Sequence, residues 1–86
     1  MKIIYSPKFW RGYKKLPTQI KILAEEKEKI FRQSPRNERL DTHKLHGKLK
    51  RLWSFSIDDH KFRIIFEFGE NNVIYFHSVG DHDIYS

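Results

Sequence analysis

The residues of this chain best suited to chemistry are its histidines and one arginine within an apolar run. His43 and His46 stand in "HKLH", Arg63 stands in "FRIIF", and His82 stands in "DHDIY", which also contains Tyr85. Histidine exchanges protons near neutral pH, and the planar guanidinium of arginine matches the oxygens of a phosphate. Cleavage of RNA without a metal needs a base for the 2′-hydroxyl, a cation for the charge that develops on the phosphate, and an acid for the leaving 5′-oxygen. These residue types therefore suit phosphodiester cleavage, provided that the fold brings them together.

Each of these residues also has a purely structural interpretation. Histidines in a polar loop, such as His43 and His46, are commonly solvated, and His77 alternates with apolar residues in a way that favours packing in a strand. Arg63 is costly to bury unless it binds an anion or forms a salt bridge with Glu67 or another acid. The "HKLH" pair has no helical pattern around it, so we expect no metal site and no other cofactor.

The net charge indicates the class of partner. Seventeen Lys and Arg against eleven Asp and Glu give a net charge of +6 in 86 residues. A positive surface attracts polyanions, so nucleic acid is the first partner to consider. The candidate RNA contacts are closely spaced along the chain: Lys44, His46, Lys48, Lys50 and Arg51. A solvated basic strip has the same appearance, and so the two interpretations coincide here.

Length and composition restrict the class of protein. A chain of 86 residues can bury one core, which predicts a single domain over residues 1–86. The absence of cysteine excludes disulfides, thiolate catalysis and cysteine-ligated zinc. No apolar run is long enough to cross a bilayer, and the first residues do not resemble a signal peptide. We therefore expect a cytoplasmic protein with no membrane contact.

The first half of the chain predicts one strand and two helices. Residues 2–6 are rich in β-branched and aromatic residues, and Ser6-Pro7 is a strong helix start. A short helix should run through Lys15, with Phe9, Trp10 and Tyr13 inward. A second helix should cover residues 18–33, with an apolar stripe that includes Ile22. Residues 34–49 lack periodicity and are predicted to be a long connection with room for one turn of helix, a type of segment that is often functional.

The second half predicts three strands in an antiparallel meander, over residues 49–57, 61–68 and 72–79. In the middle strand, aromatic residues alternate with Arg63 and Glu67, so the helices should cover the aromatic face and leave Arg63 on the open one. The order β-α-α-β-β-β predicts an α+β fold with a helical hairpin on one face of the sheet. The long connection and the tail can then meet over the open face.

The order of these elements, together with "LHGKLKRLWSF", "KFRIIFEF" and "VGDHDIY", resembles the RelE/ParE superfamily of bacterial toxins. The resemblance covers nearly the whole chain. It implies the toxin of a toxin–antitoxin module that is an mRNA interferase. Such a ribonuclease acts in the ribosomal A site and cuts the message by 2′-hydroxyl attack.

The resemblance also implies roles for single residues. Arg63 matches the arginine on the middle strand of the meander that holds the scissile phosphate, and His82 matches a residue after the last strand that serves as general acid. His43 is similar in placement to a histidine of the YafQ-like branch, which implies a base or an orienting group. Tyr85 resembles a C-terminal aromatic residue that stacks on a base or shapes the pocket. Asp59 is an outside candidate for the base.

Two other functions remain open at this point. ParE-like relatives share the fold but inhibit DNA gyrase through protein contacts, and a third possibility is an inactive homologue that only binds its antitoxin. ParE-like relatives generally lack the basic and histidine residues of the catalytic face, so the presence of Arg63 and His82 in this chain favours the ribonuclease over the gyrase inhibitor. Each toxin function implies an acidic, partly disordered antitoxin that folds onto the basic face or the helical hairpin.

Overall fold

The computed structural model describes residues 1–49, 51–59, 61–81 and 84, and within them two α-helices pack on one face of a five-stranded sheet. The elements in chain order are β1 (Lys2–Tyr5), α1 (Pro7–Lys14), α2 (Thr18–Gln33), β2 (His43–Lys44), β3 (Trp53–Ser56), β4 (Arg63–Phe68) and β5 (Val73–Gly80). The sheet order is β1-β5-β4-β3-β2, with β1 parallel to β5 and every other pair antiparallel. The predicted α+β fold is confirmed. No helix within the described ranges is both long and apolar enough to cross a membrane.

The connection after α2 contains a strand that the sequence did not predict. His43 pairs with Ser54 and Lys44 pairs with Trp53, so β2 extends the sheet at its β3 edge. A strand of two residues leaves no period-two pattern to recognise, which is why the prediction missed β2. The turn of helix allowed for in this connection is present at Glu38–Leu40. The first strand of the predicted meander is β3, and it begins at Trp53, four residues later than predicted.

Ser6 fixes the start of α1 and also ties it to the sheet. Its hydroxyl accepts a hydrogen bond from the Phe9 amide at 2.9 Å and donates one to the His77 carbonyl at 2.7 Å. Pro7 occupies the first turn, where a missing N–H costs nothing. The predicted Ser6-Pro7 helix start is confirmed, and it places α1 against β5.

Gly12 lets α1 lie directly on β5. A Cβ atom at this position would clash with the carbonyl oxygen of Val79, a backbone atom that cannot rotate away. We expect Gly12→Ala to lower the free energy of unfolding by about 1–3 kcal/mol, although alanine normally favours a helix. Urea unfolding measures this effect, with the exposed Lys8→Ala in the same helix as the control. Equal stability of the two variants would contradict this close packing.

The core is built from stacked aromatic rings between α2 and the sheet. Phe31 of α2 is fully buried, with ring centroids 4.9 Å from Phe55, 4.8 Å from Phe66 and 5.4 Å from Phe76. These rings come from one helix and three strands. Phe31 is therefore the residue through which the helical hairpin is held on the sheet.

Two apolar residues that the sequence assigned to the inner helix faces are exposed. Trp10 is 44% exposed and Ile22 is 54% exposed. Phe9 and Phe31 face the core, and so does Ala24, which is 4% exposed. The prediction for Trp10 was wrong because this residue lies at the edge of the apolar stripe of α1. The prediction for Ile22 was wrong because, at 3.6 residues per turn, Ile22 lies nearly opposite the stripe that Leu23, Ala24 and Phe31 form.

Successive side chains of strand β4 point to opposite faces of the sheet. Ile64 and Phe66 join the core, and Arg63 lies on the opposite face, as predicted. That face is not open around Arg63, however, because Ser54 is 0% exposed and Ile65 is 3% exposed. The expectation of an uncovered face was therefore wrong at this point of the sheet.

Candidate functional site

Arg63 is the centre of a hydrogen-bonded cluster on the sheet face opposite the helices. Its side chain is only 15% exposed. Its Nε donates to Ser54 Oγ at 3.0 Å, its Nη2 donates to the Asp41 carbonyl at 2.8 Å, and its Nη1 lies 3.3 Å from the Asp41 carboxylate. His43 Nδ1 lies 3.3 Å from Nη2. The salt-bridge partner of Arg63 is thus Asp41, an acid other than Glu67, and so the second of the two options that the sequence left open is the one present.

The connection holds Asp41 and His43 in place through its own anchors. Leu40 is fully buried at the end of a 3₁₀ turn (Glu38–Leu40), and the Thr42 hydroxyl donates to the Pro35 carbonyl at 2.6 Å. Asp41 follows the turn with φ 49°, a left-handed conformation that aspartate tolerates better than most residues. This reversal leads the chain into β2, where His43 lies opposite Ser54 beside Arg63.

Within the part of the chain that the structure describes, the contacts of Arg63 leave part of its guanidinium available for an anion. Arginine has five N–H donors, and the hydrogen bonds to Ser54 and Asp41 account for three of them. The Asp41 carboxylate is the weakest of these partners, because its side chain is 72% exposed and its oxygen lies at 3.3 Å. A phosphate that displaced this carboxylate would meet a guanidinium already oriented by Ser54 and by the Asp41 carbonyl.

His43 has the chemistry of a base in one of its two tautomers. Its Nδ1 lies 3.2 Å from the Asp41 carbonyl and can donate a hydrogen bond to it. Nε2 then carries the lone pair and can accept a proton. His43 is exposed, so a substrate can reach it. The structure thus brings His43 together with Arg63, as the predicted site requires.

The tail after β5 reaches the same face of the sheet. Gly80 is paired with Arg63, and a Cβ atom on Gly80 would lie 2.6 Å from the Ile84 side chain. A larger residue at position 80 would require the Ile84 side chain to shift. The predicted acid His82 and the predicted stacking residue Tyr85 lie outside the described residues, and their roles stay predictions.

The predicted RNA contacts lie along the β2 edge of the sheet. Lys44, His46, Lys48 and Arg51 are exposed, and Lys50 lies outside the described residues. Lys44 follows His43 in β2 and so points to the helix side of the sheet. Lys44 and Arg51 border a cavity of about 370 Å³ that also includes the Trp53 ring. These cations are therefore spread around the edge of the sheet and are not gathered at Arg63.

Three side chains that the sequence did not assign belong to this face or border it. Ser54 and Asp41 orient Arg63, as described above. The Ser56 hydroxyl accepts a hydrogen bond from the Asp59 amide at 2.8 Å. The Asp59 carboxylate lies 3.8 Å from Lys27 Nζ, which ties that turn to α2. No periodic pattern links positions 41 and 63, so only a tertiary contact could reveal their pairing.

A second titratable pair lies on the Arg63 face of the sheet, about 13 Å further along β4. His77 Nε2 lies 3.0 Å from the Glu67 carboxylate, and both side chains are partly exposed. His77 is the extra residue of a β-bulge, because Ser78 pairs with Ile65 and Phe76 pairs with Phe66. The sequence favoured packing for His77, but the bulge instead directs its ring to a carboxylate.

The fold is that of known bacterial and archaeal toxins. The solved YoeB/ParE toxin from Agrobacterium tumefaciens is similar over 95% of this chain and 99% of its own, with a TM-score of 0.79 and 15% identity. YafQ from E. coli has a TM-score of 0.79 and 15% identity over 98% of this chain and 96% of its own. RelE in the RelB–RelE antitoxin–toxin complex from Methanococcus jannaschii has a TM-score of 0.76 and 19% identity over 96% and 95%. The sequence itself matches no protein-family model and no curated protein.

Proposed function

We propose that this chain is the toxin of a toxin–antitoxin module and that it is a ribosome-associated endoribonuclease. The observation that carries the proposal is the preorganised Arg63, which Ser54 and the Asp41 carbonyl orient and which lies beside His43. The shared fold with the YoeB/ParE, YafQ and RelE toxins supports the same function. The net charge of +6 suits an RNA substrate.

The proposed reaction is cleavage of mRNA through attack by its own 2′-hydroxyl. His43 takes the proton from this hydroxyl, and the 2′-oxygen forms a new bond to phosphorus. Arg63 binds the non-bridging oxygens, where negative charge increases in the transition state. The bond to the 5′-oxygen breaks, and His82 supplies the proton to the leaving group. Tyr85 stacks on a neighbouring base. The products are a 2′,3′-cyclic phosphate and a 5′-hydroxyl.

The proposal includes a cognate antitoxin as partner, as in the RelB–RelE complex that shares this fold. An acidic, partly disordered antitoxin is complementary to the positive charge of this chain. The two proteins would meet in the cytoplasm, where the ribosomal A site presents the message.

Primer extension on a message from cells, after brief induction of the chain, tests the proposed function. We expect new cuts within translated regions. Growth arrest without cuts would indicate gyrase or another protein target and would overturn the ribonuclease. The absence of any arrest would overturn the toxin function altogether.

Asp41→Asn should strengthen RNA binding. The change removes a carboxylate that competes with phosphate for Arg63, while asparagine keeps the left-handed backbone and its carbonyl keeps the bond to Nη2. At low salt we expect affinity to rise about two- to fivefold, which is the range of an exposed ion pair. Fluorescence anisotropy with a short 2′-O-methyl RNA measures binding without cleavage.

Asp59→Asn is the matched control for Asp41→Asn. It makes the same charge change, also at a positive φ, in a turn that contacts Lys27. If the two variants bind RNA equally well, competition between Asp41 and phosphate is excluded, and net charge alone explains any gain.

A further inference from the structure

The helical hairpin and β1 enclose a cavity that the proposed ribonuclease does not use. Its volume is about 290 Å³. Four aromatic rings and two carboxylates line it: Tyr5, Phe9, Trp10, Tyr13, Glu25 and Glu28. It lies on the helix side of the sheet, whereas Arg63 lies on the opposite face. We name it the aromatic cavity.

The rings form a continuous wall that remains open to solvent. The Trp10 ring is 4.9 Å from Tyr5 and 5.6 Å from Tyr13, measured between centroids. Phe9 is 3% exposed and belongs to the core, whereas Trp10 is 44% exposed. A tryptophan this exposed, with its ring held in place by other rings, offers a fixed π surface to a ligand.

The charge of the lining is negative in a chain that is strongly positive overall. Apart from the tyrosines, the ionisable groups among the described residues of the lining are Glu25 and Glu28. The Tyr5 hydroxyl holds the Glu28 carboxylate at 3.0 and 3.1 Å. Burial raises the pKa of Tyr13, and the charges of Glu25 and Glu28 raise it further. The ionisable side chains of the lining are thus acidic, and Arg32, which lies outside the lining, pairs with Glu28.

Two cations of the chain itself already lie at the borders of this cavity. Lys21 Nζ is 5.7 Å from the centroid of the Tyr13 ring, and Arg32 Nε is 3.5 Å from the Glu28 carboxylate. Neither side chain lines the cavity. The rings and carboxylates thus already attract cations. Glu25 is the lining carboxylate for which the described residues provide no ion pair, and it is left for a cation from outside.

We propose that the aromatic cavity binds an arginine side chain presented by a protein partner. Guanidinium stacks on aromatic faces and pairs with carboxylates, and this lining offers both. The cavity lies at the lower limit of ligand pockets, about 300 Å³, which suits one side chain better than a nucleotide. A partner could therefore dock on the helices while the Arg63 face stays free for RNA. The inference does not depend on ribonuclease activity.

The two tryptophans of the chain make a direct test possible, because Trp10 lines the aromatic cavity and Trp53 does not. The ¹⁵N-labelled protein is titrated with the peptide Ac-Ala-Arg-Ala-NH₂, and the two indole N–H signals are followed by NMR. We expect a saturable shift at Trp10 and a much smaller one at Trp53. A peptide with citrulline, which is neutral and nearly the same shape, should bind at least about fivefold more weakly.

Glu25→Gln and Glu26→Gln separate the cavity from general charge attraction. Both residues are exposed neighbours on α2, but only Glu25 lines the cavity. Glu25→Gln should weaken peptide binding about threefold, and Glu26→Gln should leave it nearly unchanged. Equal effects of the two variants, equal shifts at both tryptophans, equal binding of citrulline, or no binding at all would each overturn the proposal.

Discussion

Arg63→Ala is expected to reduce RNA cleavage by at least about 100-fold, the effect of removing one preorganised donor from a developing negative charge. The reason lies in the order of the guanidinium, which Ser54 and the Asp41 carbonyl fix before substrate arrives. Arg63→Lys should also cleave RNA more slowly, because an ammonium keeps the positive charge but cannot offer two parallel N–H donors to the phosphate oxygens as the planar guanidinium does. Cleavage of a ribosome-bound message by the purified variants measures both effects.

Arg11→Ala is the matched control for the loss of one positive charge. Arg11 is exposed on α1, on the other side of the molecule from the site. This variant should cleave within about twofold of the wild type, since a single distant charge is screened in salt. Folding is checked by circular dichroism. A folded Arg63→Ala chain that cleaves as fast as Arg11→Ala would exclude a catalytic role for Arg63.

The largest loss of stability is expected from Phe31→Ala. Removing this fully buried ring, which lies against three other phenylalanines, should lower the free energy of unfolding by about 3–5 kcal/mol. A domain of this size has roughly 5–15 kcal/mol in all, so the variant loses a large share of its stability. Denaturant unfolding measures the change directly.

Ile22→Ala provides the comparison on the same helix. Ile22 is 54% exposed, so its truncation should cost less than about 1 kcal/mol. If Ile22→Ala destabilised the protein as much as Phe31→Ala, the assignment of the inner face of α2 would be wrong.

Local sequence rules predicted most of the fold because most elements carry a local signal. Ser6-Pro7 specifies the start of α1 by a cap and a preset φ, and the structure has both. The alternation in β4 predicted that Arg63 lies opposite the core, and it does. Strand β2 was missed because His43 and Lys44 become a strand only by pairing with β3.

The residue types of the candidate site could be predicted from the sequence, but the hydrogen-bond and salt-bridge partners of Arg63 could not. Arg63 stood out because a charge interrupts an apolar strand, and that signal is contained in the strand itself. Its partner Asp41 is 22 residues away, at a left-handed position in an irregular segment, and no pattern connects the two. Trp10 was misassigned for a related reason, because helical periodicity cannot tell a core contact from a cavity wall.

The chemistry of the new RNA ends tests the central claim most directly. A message bound to ribosomes is treated with the purified wild type and with Arg63→Ala, and the ends of the fragments are identified. Attack by the 2′-hydroxyl, with Arg63 holding the phosphate, predicts 2′,3′-cyclic phosphate and 5′-hydroxyl ends from the wild type and no fragments from the variant. Fragments with 5′-phosphate ends, or the same fragments from Arg63→Ala, would contradict it.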